Sequence, residues 1–502
     1  MLSSISKKAF DWVSRDLLLY KLSTLFNVHG RLFNTLYTIY SSSSAQIRVN
    51  GLLTDPFEVT SGVKQGDIIS PILFSMYLND LATGVKELDC GIDIDGLNLS
   101  ILLYADDIVL MAPDEDSLQK MLHFIDNWCK KWRMAINSDK TQVVHFRTKS
   151  KTKSEFQFSL GSNDLSTVSF YKYLVVIFDE YLTFENHASI LADSAGRALG
   201  SIRTKLKHIK ECGFKTFDTL FTSMVLSIAD YSAGVWGTKS FSKTEQVQYK
   251  AARYFMGVHR FAPIDVLLGD MGWCTARSRH KLLILKYWNR LCNLDESRVT
   301  KKVFDWDRSF CNKNGTWSYS VKQLLGEIDC EEYFNSATPC DISHAKSIIM
   351  DVTDTGDWDI SRYRSQKLRY YNLYKYDKTP EEYLYFDITK YQRSLFAQFR
   401  CGILPLEIEV GRYRDIPLEK RLCLVCKNGA VEDEIHFLCQ CSEYDEYRSI
   451  LYSQAENVDP LFHTKDDIDK YVFLMSNLQK PVIRFISNSI ATRTKCLNQI
   501  CN

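Results

Sequence analysis

The stretch that most constrains the fold is Tyr104-Ala105-Asp106-Asp107, held between Ser100-Ile101-Leu102-Leu103 and Ile108-Val109-Leu110-Met111-Ala112. Two aliphatic and β-branched runs around a two-carboxylate break predict strand, acidic turn, strand, with the acids at the tip of a tight hairpin. Adjacent carboxylates repel unless water solvates them or a divalent cation neutralises them, and Mg²⁺ takes oxygen ligands of this kind. A solvated Asp-Asp turn satisfies the four residues equally well, so the flanking chain has to decide.

Upstream, a helical pattern runs from Ser6-Lys7-Lys8-Ala9-Phe10-Asp11-Trp12-Val13 through Leu17, Leu18, Tyr20, Leu22 and Leu25, and a second through Leu32, Phe33, Leu36 and Tyr40. Residues 45–51 alternate as a strand ending in a turn, and 57–60 form its return. The loop Ser61-Gly62-Val63-Lys64-Gln65-Gly66-Asp67 leads into an apolar helix over 72–81, with Pro71 in its first turn and Ser70 as cap. Beyond the hairpin, Asp116 or Ser117 caps a helix whose apolar side carries Leu118, Met121, Leu122, Ile125, Trp128 and Trp132. Residues 142–146 read as a further strand.

These blocks, in this order, carry a resemblance. Ala9-Phe10-Asp11, Gly62-Val63-Lys64-Gln65-Gly66-Asp67, Tyr104-Ala105-Asp106-Asp107, Trp128-Cys129 with Trp132, Met134, Ile136-Asn137 and Lys140-Thr141, and Tyr171-Lys172-Tyr173-Leu174 together resemble the palm of a reverse transcriptase of the non-LTR (LINE-type, jockey-like) retrotransposons. The resemblance implies RNA-directed DNA polymerase activity on an RNA template, a DNA primer or target site and deoxynucleoside triphosphates. It implies that Asp106 and Asp107 bind Mg²⁺ in a two-metal site and that Lys140 protonates the pyrophosphate leaving group. Phe10 then excludes a ribose 2′-OH, Gln65 and Gly66 lie against template and nucleotide, Tyr104 lies at the substrate, and Tyr171 to Leu174 grip the primer. The chemistry agrees: in-line displacement at phosphorus needs carboxylates to hold two metals, and the 2′-OH is what separates RNA from DNA building blocks.

The pattern departs from the family in three places. The third metal-binding Asp is expected six positions before Asp11, where Ile5 stands. No residues precede this block to form fingers or an endonuclease, so the expectation is an N-terminally truncated chain with impaired catalysis. The Gly that usually follows the primer-gripping block, allowing close backbone approach, is Val175.

The second half reads as helices from Thr183 to about His259, with Ile190, Leu191, Ala195, Leu199, Ile202 and Leu206 on one side and Arg197, Arg203, Lys205, Lys207 and Lys210 adding positive charge. Such a helix could track phosphates, as a thumb does, or present an ordinary solvated face. Tyr231-Ser232-Ala233-Gly234-Val235-Trp236-Gly237 and Gly269-Asp270-Met271-Gly272-Trp273 resemble segments of these retroelement proteins, and no chemistry attaches to them. Tyr287 to Leu291 reads as core. The Tyr, Arg and Lys residues between Arg362 and Tyr376 suit either a nucleic-acid surface or a helix with an aromatic core face.

The last strong signal is Cys423, Cys426, His436 and Cys441, a C-x₂-C-x₉-H-x₄-C spacing suited to tetrahedral Zn²⁺, with a Lys427-Asn428-Gly429 turn after the first pair and Cys439 as a spare thiol. It resembles the knuckle of non-LTR element proteins that contacts RNA or target DNA, and loss of one ligand should unfold this small lobe.

The expected architecture is α+β: a partial palm without fingers over 1–180, a helical thumb or connection over 181–294, a linker or loose insert over 295–360, a helical C-terminal region over 361–422 and a zinc knuckle over 423–450. A formal charge of +1 neither supports nor opposes nucleic-acid binding. Fifteen Cys without an apolar leader at residues 1–10 predict reduced thiols in an intracellular protein of cytoplasm and nucleus, and no run is long enough to span a membrane. The alternative from another class is a non-catalytic RNA/DNA-binding remnant.

Overall fold

In the computed structural model the acidic stretch is a hairpin: strand Ile101–Tyr104 pairs antiparallel with Asp107–Leu110 in the register Ile101↔Leu110 to Tyr104↔Asp107. The structure describes every residue except 1, 5–8, 210–211, 357, 360–362, 364, 366 and 502. The chain forms two compact units, Met1–His187 and Ala188–Asn502, a mixed helix-rich α+β arrangement overall.

The first unit is built on a six-stranded sheet in the order Phe158–Leu160, Asn163–Val168, Gln142–Val144, Leu2–Ser4, Asp107–Leu110, Ile101–Tyr104. Gln142–Val144 and Asn163–Val168 run parallel, and the other pairings are antiparallel. Helices Ser70–Glu87 and Glu115–Lys131 build the core of this unit with Leu73, Phe74, Tyr77 and Leu81 from one and Leu118, Met121, Leu122 and Ile125 from the other, packed with Ile101, Ile108 and Leu110 of the hairpin. The second helix starts earlier than expected. Its cap is Asp114, not Asp116 or Ser117, because the Asp114 carboxylate reaches the Ser117 N–H at 2.8 Å. Ser70 likewise does not cap: it is the first helical residue, and its hydroxyl donates to the Lys64 carbonyl at 2.6 Å. The expected strand at 45–51 is split into two short ribbons, Ser44–Ala45 with Phe57–Glu58 and Arg48–Val49 with Leu52–Leu53, the latter turning on Asn50 and Gly51 with φ +48° and +87°.

The second unit is helical. Its main core joins Phe217, Phe221 and Phe255 to Leu395, Phe399, Phe437 and Phe485. Residues 295–360 correct the expectation of a linker or loose insert: helices Val299–Ser309, Trp317–Glu327, Glu331–Ser336 and Ile342–Ile348 surround Trp288, which is fully buried between Phe304 and Phe334. The segment looked irregular because its apolar residues come in short sets between acidic surface positions, and short helices packing on a distant Trp have no local periodicity to betray them. Within 361–422 the described helices are Lys390–Arg400 and Glu407–Tyr413, with single 3₁₀ turns elsewhere. Among the described residues, no helix is long and apolar enough to cross a membrane.

Candidate active site and metal centre

The register of the hairpin leaves a connection of two residues, Ala105 and Asp106. Ala105 takes a left-handed φ of +51°, and Asp107 is already the first residue of the returning strand. Both acids therefore do not lie at the tip as expected; one is in the turn and the other is in the ladder, opposite Ser4 on the neighbouring strand. Both are half-buried. Burial and the Asp106 charge hold the Asp107 carboxyl above its usual range, and Lys140 pulls it back. Lys140 ends the short turn Ser138–Lys140, which is capped by the Asn137 side chain, and its carbonyl accepts from the Tyr171 hydroxyl at 3.2 Å. Tyr171 and Tyr173 both feel the Asp107 charge, which with burial raises their phenols. Tyr104 is 63 % exposed beside the turn. The structure thus brings Asp106, Asp107, Lys140, Tyr104 and the Tyr171–Leu174 block together. The arrangement fits a divalent cation, since two crowded carboxylates gain most from one.

A second group forms around Ala9–Trp12, a single helical turn. Phe10 is half-buried and stacks on Phe74 with ring centroids 4.4 Å apart. The loop from Gly62 is sewn onto it: Gly62 N–H donates to the Val13 carbonyl, Val63 N–H to that of Phe10, and Gln65 Nε2 to Asp11 Oδ1 at 2.8 Å. Gly62 has φ +83°, and a Cβ there would lie 2.8 Å from the Asp11 Cα, so only glycine lets the two segments touch. Buried Arg15 ties the same loop down by donating to the carbonyls of Gly62, Tyr40 and Val59. At Gly66, φ is +88° and nothing crowds the missing side chain, leaving open space beside Gln65. Ile5 lies outside the described residues.

Residues 6–177 match the family described as "Reverse transcriptase (RNA-dependent DNA polymerase)". The chain is 27% identical over 306 residues to the "RNA-directed DNA polymerase from mobile element jockey" of Drosophila melanogaster, covering 59% of this chain and 32% of that protein. It is 25% identical over 248 residues to the "Probable RNA-directed DNA polymerase from transposon BS" of the same species, covering 48% and 27%. Residues 6–177 are thus a reverse transcriptase domain, similar to those of non-LTR retrotransposon polymerases. A further relative is the "Retrovirus-related Pol polyprotein from type-1 retrotransposable element R2" of Popillia japonica, 30% identical over 140 residues, covering 28% of this chain and 20% of that protein. The chain spans about a third or less of the length of the curated relatives it matches.

The Tyr171–Leu174 block lies in a second hairpin, Phe170–Tyr173 with Val176–Asp179, turning on Leu174 and Val175 at φ +44° and +72°. A left-handed φ at the second turn position is one that glycine takes more easily than valine.

In the second unit, Cys423, Cys426, His436 and Cys441 place one donor atom each within 4.8 Å of one another. The Cys423 and Cys441 sulfurs are 4.0 Å apart, and the Cys426 sulfur is 3.5 Å from His436 Nε2. Zn–S and Zn–N bonds of about 2.3 and 2.05 Å set tetrahedral edges of roughly 3.8 and 3.6 Å, so the residues fit zinc. The Cys441 thiol and burial push the Cys423 thiol up to about 12; a cation would reverse that by holding thiolates. The turn after Cys426 uses Lys427 and Gly429 at φ +54° and +82°. Cys439 is buried outside the four-donor cluster, as the spare thiol. The expectation of a small separate lobe is corrected: Cys423, Cys439 and Cys441 belong to the main core of the unit. Glu432, 3.7 Å from the Cys423 sulfur, receives a bidentate pair from Arg493 of the C-terminal helix at 2.9 and 2.7 Å.

Of the Tyr, Arg and Lys cluster between Arg362 and Tyr376, part is core, while Tyr363 and Tyr376 are exposed and Arg362 and Arg364 lie outside the described residues. Tyr371 and Tyr374 are buried, and Arg369 pairs with Glu434. Tyr371 and Tyr383 donate to Asp270, which also receives both arms of fully buried Arg400 at 2.7 Å. Sequence reasoning flagged Gly269 to Trp273 without chemistry. A lone Asp between glycines in an apolar helix was the available signal, whereas its Arg partner 130 residues on had none. Lys21 was missed as well: fully buried, it bonds the Tyr77 carbonyl and Asp80 at 2.6 Å, with Trp132 3.7 Å away.

Proposed function

We propose that this chain extends a DNA primer on an RNA template by two-metal nucleotidyl transfer. The observation that carries the reading is the pair Asp106 and Asp107, set by a two-residue turn against Lys140. Asp106 and Asp107 would hold Mg²⁺, which when bound stabilises charge on the attacking 3′-oxygen and the leaving pyrophosphate. Lys140 stands to donate the proton that the pyrophosphate takes up. Phe10, its plane fixed by Phe74, would oppose a 2′-OH; Gln65, steadied by Asp11, and Gly66 would meet nucleotide and template, and Tyr104 the substrate. In this reading the first unit is a palm, the helices after it a thumb, and Cys423, Cys426, His436 and Cys441 a zinc knuckle that meets element RNA or target DNA in cytoplasm and nucleus.

A second reading, an RNA/DNA-binding protein without catalysis, is favoured by Ile5, which stands where the resemblance calls for a third carboxylate. Primer extension on an RNA template with Mg²⁺ and deoxynucleotides separates the two. The first reading expects templated products that fall at least 10³-fold in Asp106→Ala/Asp107→Ala. Salt-sensitive binding without any extension would establish the second.

A further inference from the structure

Phe485, Ser489 and Arg493, spaced one helical turn apart, share one buried face of the C-terminal helix Gln479–Cys501. That face meets both halves of the four-donor cluster. Phe485 packs on the half with His436 and Cys441, its ring centroid 5.8 Å from that of Phe437 and 6.3 Å from that of Tyr444. Arg493 reaches the half with Cys423 by holding both oxygens of Glu432, whose carboxylate is 3.7 Å from the Cys423 sulfur.

Glu432 is fixed where it stands. Its N–H donates to the Arg421 carbonyl at 3.0 Å, its carbonyl accepts from the Ile408 N–H at 3.1 Å, and its carboxylate also takes the Glu407 N–H at 2.7 Å. Three thiolates around one Zn²⁺ already leave a net negative centre. Cys423, Cys441 and Glu432 are no more than 2 % exposed, so water does little to screen a further negative charge there. Among the described residues, Arg493 is the cation that pairs with Glu432, and the same guanidinium lies 3.7 Å from the buried carboxylate of Glu407. Arg414 approaches Glu407 only at 3.9 Å, from the exposed side. Buried Arg448 is committed elsewhere: it donates to the carbonyls of Leu438 and Cys441 at 3.0 and 2.6 Å and pairs with Asp445. One guanidinium therefore offsets two buried carboxylates, one of them against a ligand sulfur. Its planar fork matches Glu432 in a way an ammonium does not.

We infer that Arg493 is a positioning residue of the metal centre: by neutralising Glu432 beside Cys423 it lets the thiolates gather around one cation, which makes the C-terminal helix part of the site. The inference rests on the reading of the four donors as a zinc centre and is independent of the polymerase reading. The test uses the full chain and two readouts, Zn²⁺ affinity by competition with a chromophoric chelator, and thiolate-to-cobalt charge-transfer absorption with Co²⁺ in place of zinc. Arg493→Gln, which leaves Glu432 charged and unpaired, should weaken Zn²⁺ binding about 10- to 100-fold and lower the charge-transfer absorption per bound Co²⁺ as Cys423 withdraws. Glu432→Gln/Arg493→Gln, which removes both charges, should return both readouts toward wild type, and it carries the test should Arg493→Gln not fold. Arg493→Lys, which keeps the charge without the fork, should fall between wild type and Arg493→Gln. Wild-type affinity and absorption in Arg493→Gln overturn the inference alone. So does a double variant as weak as the single one, which would make Arg493 a packing residue. A wild-type chain that takes up neither Zn²⁺ nor Co²⁺ overturns the zinc reading, and the inference with it.

Discussion

Val175 occupies a backbone conformation, φ +72°, that a β-branched side chain resists, and its side chain is half exposed with little packing to repay the strain. Val175→Gly should therefore stabilise the first unit by about 1 kcal/mol, relief of strain outweighing the entropy glycine adds to the unfolded chain. Chemical denaturation would check this, and a lower midpoint would show that the turn tolerates valine. At this scale the sequence was legible where chemistry is local. The two adjacent aspartates and the four zinc-type donors could be named from their spacing along the chain, and Lys140 from the resemblance. Asp270 and Lys21 could not: a buried charge is recognised by its partners, and theirs come from 130 and 59 residues away, respectively.

Among elements, the junction of the second hairpin with the Glu185–Leu206 helix carries a pH dependence. Buried His187 accepts the Ile177 N–H at Nδ1, and burial pushes its pKa down from 6.5 to about 4. Between those values the unfolded chain takes up a proton that the folded one refuses, so stability falls as pH drops below 6.5 and the loss is complete below 4. At about 1.4 kcal/mol per pH unit, the first unit should lose roughly 2 kcal/mol between pH 7 and pH 5. His187→Gln, which keeps an acceptor but cannot titrate, should flatten that dependence in denaturation midpoints taken at the two pH values. Elements with caps and clear periodicity were readable from sequence, but boundaries were not. The cap moved to Asp114 because its carboxylate reaches the Ser117 N–H, so the helix begins a residue or two before the expected cap. Residues 295–360 were misread because their order comes from Trp288.

For the molecule as a whole, the zinc-type cluster is part of the main core of the second unit. Removal of bound metal with a strong chelator should lower the principal calorimetric transition of that unit by several degrees, with proton uptake as thiolates become thiols. A separate small low-temperature transition would instead restore the idea of an independent lobe. Cys423→Ser should reproduce the chelator's effect in the absence of chelator. The division into two units follows the strand content, since the sheet strands end by Asp179 and helices dominate from Glu185 on.

The Asp270 and Arg400 pair also bears on how the chain is made. The carboxylate of Asp270 is satisfied by Tyr371, Tyr383 and Arg400, all later in the chain, and Gln479 and Lys375 complete the surroundings through Glu381. On a ribosome adding about 5–20 residues per second, the 130 residues to Arg400 take roughly 7 to 26 seconds, during which Asp270 has no counter-charge to bury against. The second unit therefore cannot close around Asp270 until Arg400 has been synthesised.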